Sequence, residues 1–142
     1  MGEKKLVKYW SAGVPKYEFF YSGSNKTTGL FKSWNRTGDL LEKYEIVNDG
    51  KHGEYIGYHK NGTIFVRCFY KDNFKHGEYF SFYVNGVKCV ECVYDGGSIS
   101  GKFRSFHENG MKECECEFDR GRLVGKYQTW CATGELEIEI LY

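Results

Sequence analysis

Six cysteines, four histidines and a run of alternating glutamates are the residues of this 142-residue chain best able to do chemistry. Cys89-x-x-Cys92 followed by Cys114-x-Cys116 offers four thiolates, enough for a tetrahedral zinc site. The spacing argues otherwise. Cys68, Cys92 and Cys116 recur at intervals of 24 residues, and Ile140 fills the next such position. Cysteine there stands in for an aliphatic side chain facing a core, where a free thiol behaves as a small hydrophobe. Cys89 lies three residues before Cys92, so a regular strand sends the two thiols to opposite faces. Packing is therefore the reading for all six, with Cys131 outside the pattern; no metal site is expected, and disulfides fit the spacing even less. Unpaired thiols suit a reducing, cytoplasmic setting.

The histidines follow the same interval. His52 and His76 occupy one position, His59 and His107 another. No serine or cysteine partner is locked to either register, so no catalytic residue and no enzyme activity are expected. Glu113, Glu115, Glu117, Glu137 and Glu139 form an acidic stripe, read as a solvated outer face that discourages edge aggregation. A lipid surface would need clustered Lys/Arg beside exposed aromatics, such as Lys51, Lys75, Tyr55 and Tyr79, and the near-neutral net charge argues against it.

The interval of 24 residues runs through the whole chain. Glycines stand at Gly29, Gly53, Gly77, Gly101 and Gly125, and again nine residues later at Gly38, Gly62, Gly86, Gly110 and Gly134. Two residues after each leading glycine comes Phe31, Tyr55, Tyr79, Phe103 or Tyr127; five after it comes Trp34, Tyr58, Phe82, Phe106 or Trp130. The first unit lacks its leading glycine, and its loop Ser22 to Thr28 holds one extra residue. One domain spans 1–142, with units at about 4–28, 29–52, 53–76, 77–100, 101–124 and 125–142.

Each unit reads as a β-hairpin. Asn61-Gly62, Asn85-Gly86 and Asn109-Gly110 predict type I′ turns, in which both central residues take positive φ. They are turn glycines, not phosphate cradles, and no cofactor site is expected. The second strand alternates cleanly, with Val66, Cys68 and Tyr70 on one face. The first strand carries its two aromatics three apart, with Gly57, Ser81 or Ser105 between them, which predicts a bulge or sharp twist that brings both rings to one side. The fold class is all-β: an elongated, single-layer antiparallel meander of tandem hairpins. At a strand spacing of about 4.8 Å, twelve strands extend about 50–60 Å. Leucine-rich repeats need leucine in phase, and propeller blades need longer units.

Glycine, aromatic, aromatic and Asn-Gly at these spacings, followed by an alternating strand ending in tyrosine, resembles the variant MORN repeat (membrane occupation and recognition nexus). Gly53 to Gly77 carries the pattern best; at Gly101 and Gly125 the preceding residue is Ser100 or Val124 rather than histidine. The resemblance implies an array used for protein–protein contacts, dimerisation or membrane association, and it extends to antitoxin-like bacterial proteins.

Composition agrees with a strand-rich chain: aromatics make up 18% and proline occurs once. A net charge of +1 gives no field to attract nucleic acid. No signal peptide or transmembrane run is read from the sequence. Charge is uneven: residues 1–52 hold nine Lys/Arg against six Asp/Glu, and residues 101–142 hold six against eight. The expected role is a non-enzymatic scaffold that binds a protein partner or a second copy of itself, with a peripheral membrane module or an antitoxin-like binder as alternatives. The candidate interaction edge is the last strand, with Leu136, Ile138, Ile140 and Tyr142, where strand addition would give a homodimer or capture a partner.

Overall fold

Among the described residues, thirteen strands form a single open antiparallel sheet, and twelve of them follow one another in the order of the sequence. The structure, a computed structural model, describes residues 3–24 and 26–142. The strands are β1 (Lys4–Tyr9), β2 (Pro15–Tyr21), β3 (Gly29–Trp34), β4 (Leu40–Val47), β5 (Gly50–Tyr58), β6 (Ile64–Lys71) and β7 (Phe74–Phe82). They continue as β8 (Lys88–Asp95), β9 (Ser98–Ile99), β10 (Gly101–Phe106), β11 (Lys112–Asp119), β12 (Arg122–Trp130) and β13 (Leu136–Leu141). The short β9 pairs only with β8, and β10 carries the path onward. One 3-10 turn, Ser11–Gly13, links β1 to β2. Position 25, in the loop with the extra residue, lies outside the described residues.

The register gives each face a continuous cross-strand row. One row runs Phe19, Phe31, Tyr44, Tyr55, Cys68, Tyr79, Cys92. It continues on the same face through the pairs Phe103–Cys116 and Tyr127–Ile140. We call this the ring face. The opposite row runs Glu18, Lys32, Lys43, Ile56, Arg67, Phe80, Glu91, Arg104, Glu115, Gln128, Glu139. The buried apolar residues are few: Cys68, Cys92, Cys116, Val66 and Phe19 belong to the ring face, and Ile56 to the opposite one. A thiol fits between two ring-bearing strands where a further ring would crowd them. In the first half, rings sit on successive strands and stack: Phe31 on Tyr44 at 4.8 Å and Tyr44 on Tyr55 at 5.8 Å. From Cys68 onward, rings alternate with thiols and pair edge-on within their own hairpin, as Tyr79 with Tyr94 at 5.6 Å and Phe103 with Phe118 at 6.0 Å. Such pairs contribute about 0.5–1.5 kcal/mol each beyond burial.

The turns differ from the sequence reading. Gly62 N–H donates to His59 O, and His59 N–H to Thr63 O, with positive φ at Gly62 and not at Asn61. This is a three-residue loop: a type I turn closed by a left-handed glycine. Asn61 instead uses its side chain, accepting from Thr63 N–H at 3.1 Å and reaching Val84 O of the next loop at 3.5 Å. Asn109 repeats this with Met111 N–H and Ala132 O. Turns with both central residues at positive φ lie at the opposite edge, between units: Asn48-Asp49, Asp72-Asn73, Gly96-Gly97 and Arg120-Gly121. There Asn73 N–H donates to Lys51 O, Gly97 N–H to Lys75 O and Gly121 N–H to Ile99 O. Both long edges are thus laddered at the repeat interval.

The bulge also lies elsewhere. At Gly57–Tyr58 the extra residue belongs to the second strand, because Gly57 pairs with Val66 but Tyr58 with Ile64. Tyr58 therefore stays with Glu54 and Ile56, around a depression on the face opposite Tyr55. The two aromatic series of the first strand occupy opposite faces rather than one. A second irregularity explains Gly53, Gly77 and Gly125, but not Gly29, which pairs in register on both sides. Tyr44 pairs with Tyr55 while Glu45 pairs with His52, which leaves Gly53 and Glu54 looped out toward the preceding unit. Gly53 takes φ 74° there, a conformation an L side chain adopts only with strain.

Two glycine substitutions separate these causes. Gly62 has a positive φ and nothing within 4 Å of an added Cβ, so Gly62→Ala should lower stability by about 1–2 kcal/mol. At Gly29 an added Cβ would lie 1.9 Å from Phe20 O, so Gly29→Ala should cost about 3 kcal/mol. Denaturant midpoints of the two variants check the order.

Candidate functional site

The ring face gathers the residues most able to bind something. Lys51 stands two residues before its leading glycine, and its Nζ lies 4.3, 4.8 and 5.5 Å from the ring centres of Tyr44, Tyr55 and Tyr70. Lys75, one unit on, lies 4.7 and 5.0 Å from Tyr79 and Tyr94. Ammonium over a ring face is worth about 0.5–2 kcal/mol, depending on how far water is excluded. The Lys51–Tyr55 and Lys75–Tyr79 cluster expected from the sequence is therefore assembled, with each cation placed over the rings. Glu42, on the same face, accepts from Tyr55 Oη at 2.9 Å and from Ser33 Oγ at 3.2 Å. Burial, reinforced by the Glu42 carboxylate, holds the Tyr55 hydroxyl well above its ordinary range. Nothing in the sequence pattern singled out Glu42, because only its alignment with Val66 and Val90 would mark it as an acid at an apolar position.

The opposite face is an ion-pair surface. Arg104 bridges Glu91 at 2.9 Å and Glu115 at 2.8 Å, and Lys112 joins Glu115 at 3.1 Å. Hydrogen bonds from Lys88 and Arg104 hold the Glu91 carboxyl below its ordinary value. The acidic stripe is not one row. Glu113 is the extra residue of the β10–β11 bulge, and it accepts from Ser105 Oγ at 2.8 Å on the ring face. Glu115 and Glu139 stay on the outer face, each beside a lysine.

The histidines hold the array together. His59 Nε2 lies 2.8 Å from Phe82 O, and His107 Nε2 lies 2.7 Å from Trp130 O. A carbonyl only accepts, so Nε2 carries the hydrogen in both. Tyr83 fills the same position between them and donates to Phe106 O at 2.8 Å. His52 and His76 face Asp72 and Asp95 of the next turn at 3.7 and 3.3 Å.

All six cysteines are free. Among the described residues, no group of three or more His, Cys, Asp or Glu could hold a metal ion. Cys89 sits at the β7–β8 bulge, and its thiol, a neighbour of the Tyr83 hydroxyl, helps push that hydroxyl up to about 12. Of the terminal-strand residues, Leu136, Ile138, Ile140 and Tyr142 are all exposed, and β13 pairs with β12 along one side.

Residues 51–72 and 99–120 each match the MORN repeat variant family. The two segments begin at equivalent positions, Lys51 and Ile99, 48 residues apart. These two segments are similar to the MORN repeat variant, and the 24-residue interval sets them in phase with the units between and around them. No curated protein matches it. MORN repeats are generally associated with binding of proteins or membrane lipids, and arrays of them are typically non-catalytic scaffolds.

The thiols of this MORN-like array give a pH signature. Burial pushes Cys92 to about 11 from an ordinary 9.0, and raises Cys68 as well. An acid whose folded value lies above its unfolded one stabilises the fold below the unfolded value and loses that contribution as pH rises through the folded one. The denaturant midpoint should therefore fall between pH 9.0 and about 11, and Cys68→Val with Cys92→Val should flatten that decline. Cys131 behaves oppositely, because its hydrogen bond to Thr133 lowers its thiol. Iodoacetamide footprinting should modify Cys131 well before Cys68 or Cys92 in the folded protein.

Proposed function

We propose that this protein is a non-enzymatic scaffold whose ring face binds a protein partner. The observation that carries this reading is a half-buried aromatic row along the whole sheet, with no second layer over it. Sheet faces in globular domains are covered by helices or another sheet. Here the rings are shielded by their neighbours and by lysines such as Lys26, Lys51 and Lys75, which leaves half-buried apolar surface for a partner to cover. The fixed 24-residue spacing presents like residues at regular intervals, which suits an extended ligand.

A lipid surface is the second reading, favoured by Lys51 and Lys75 on one face beside exposed ring edges. A third surface is the β13 edge, where strand addition by a second copy or a partner would extend the sheet. Intracellular, reducing conditions suit the six free thiols.

Affinity capture from the native source, with two charge-reversed variants, tests the ring face. Lys51→Glu with Lys75→Glu should remove a stoichiometric partner, whereas Lys32→Glu with Lys43→Glu on the other face should keep it. Equal loss in both would overturn the assignment of the face. Flotation with phosphatidylserine vesicles, abolished by the first variant alone, would shift the reading to lipid. Light scattering over a concentration series addresses the β13 edge, and a mass above one chain is expected there.

A further inference from the structure

The ring face changes character toward its C-terminal end. Phe103 and Phe118 occupy the positions held by Tyr55 and Tyr70 two units earlier, and Tyr127 that of Tyr79. In the earlier units these rings lie beneath the ammonium groups of Lys51 and Lys75. In the later units the two covering positions are Ile99 and Leu123, which pair with Tyr94 and Phe118 as Lys75 pairs with Tyr70. Both are shorter and uncharged. A depression of about 440 Å³ opens beside Leu123, lined by Phe103, Phe118 and Tyr127, with Ser105, Glu113, Thr129 and the Cys114 and Cys116 thiols among its polar groups.

Those polar groups suit a cation. Glu113 sits on this face because the β10–β11 bulge turns it there, and Ser105 Oγ holds it at 2.8 Å. Thr129 Oγ1, beneath the floor of the depression, is buried without a hydrogen-bond partner, so the site holds one unsatisfied polar group beside the carboxylate. The surrounding segment 101–142 carries eight acids against six bases, so a basic chain is drawn toward it.

We propose that this depression receives a Lys or Arg side chain from a basic polypeptide partner, which completes the ladder of ring-covering cations that the chain supplies for itself at Lys51 and Lys75. The proposal rests on the ring face being a protein-binding surface, and it specifies the chemistry of the partner. The cation would meet the rings of Phe103, Phe118 and Tyr127 and the Glu113 carboxylate. Arginine suits the flat rings, and lysine has the precedent within the chain itself.

Because the repeat supplies its own control, the test is direct. A short fluorescent peptide of alternating Lys and Ser is titrated by polarisation, beside its norleucine counterpart, which keeps the side-chain length without the charge. The Lys peptide should bind at least about tenfold more tightly. Leu123→Lys and Ile99→Lys, each importing the residue that the earlier units carry, should fill the depression and reduce binding about tenfold. Glu113→Gln should weaken it by a smaller factor. Gln128→Lys adds the same charge on the opposite face and should leave binding near the parent value. If Gln128→Lys reduces binding as much as Leu123→Lys does, general electrostatic attraction accounts for it and the proposal fails. If the norleucine peptide binds equally well, the site is an apolar groove and the proposal fails. Amide spectra of each variant confirm that the fold is kept. Should these titrations fail while partner capture still depends on Lys51 and Lys75, the ring face binds a partner of different chemistry. Failure of both removes the binding-face reading itself.

Discussion

A single β-layer has two faces and nothing of its own to lay over either. That constraint governs the rest of the molecule. Apolar groups on the ring face gain shelter only from the residues beside them, one strand away or one repeat away. Large flat rings serve this end because each covers its neighbour as well as itself, whether stacked as at Phe31, Tyr44 and Tyr55 or edge-on as at Tyr79 and Tyr94. Small thiols serve it between ring-bearing strands, where Cys68 is almost fully buried although the layer is one strand thick. Lysine serves it from above, its alkyl stem covering apolar surface and its ammonium over the rings.

The same constraint makes the edges important. Without a second layer, neighbouring hairpins must be fixed to one another at their ends. At one edge His59, Tyr83 and His107 reach into the next loop, and the Asn side chains do the same beside them. At the other edge, turn N–H groups bond carbonyls of the preceding unit. The looped-out leading glycines lie at these junctions between units, where the extra residues bend the strand and increase its twist. A polar residue that looks catalytic by type, such as His107, is here part of the fastening.

The repeat interval, the strand alternation and the burial of Cys68, Cys92 and Cys116 were all legible in the residues, because each is a period and periods survive in a single sequence. Turn geometry was not. Asn61-Gly62 is the dipeptide of a type I′ turn and also of a type I turn closed by a glycine; the choice depends on which residues pair across the hairpin. The bulge in the second strand was hidden for the same reason. Without it, Glu113 counts as a member of the acidic stripe; in the first strand instead, it would carry Tyr58 to the face of Tyr55. With it, Glu113 moves to the ring face and Tyr58 stays off it. The lysine and tyrosine cluster was visible as a set of residues, but its complement at Ile99 and Leu123 appears only once the covering position is known.

The meander order has a kinetic meaning. Apart from the short β9, which β10 bypasses to pair with β8, each strand pairs with its neighbours in the chain, so no pairing waits for distant parts of the chain to meet. Most β-proteins fold slowly because their sheets join segments far apart in sequence. Here every loop closed during folding is shorter than about one repeat, and loop closure of that length costs little entropy. A hairpin formed anywhere becomes a template on both sides, so the sheet grows by zippering rather than by a single concerted collapse.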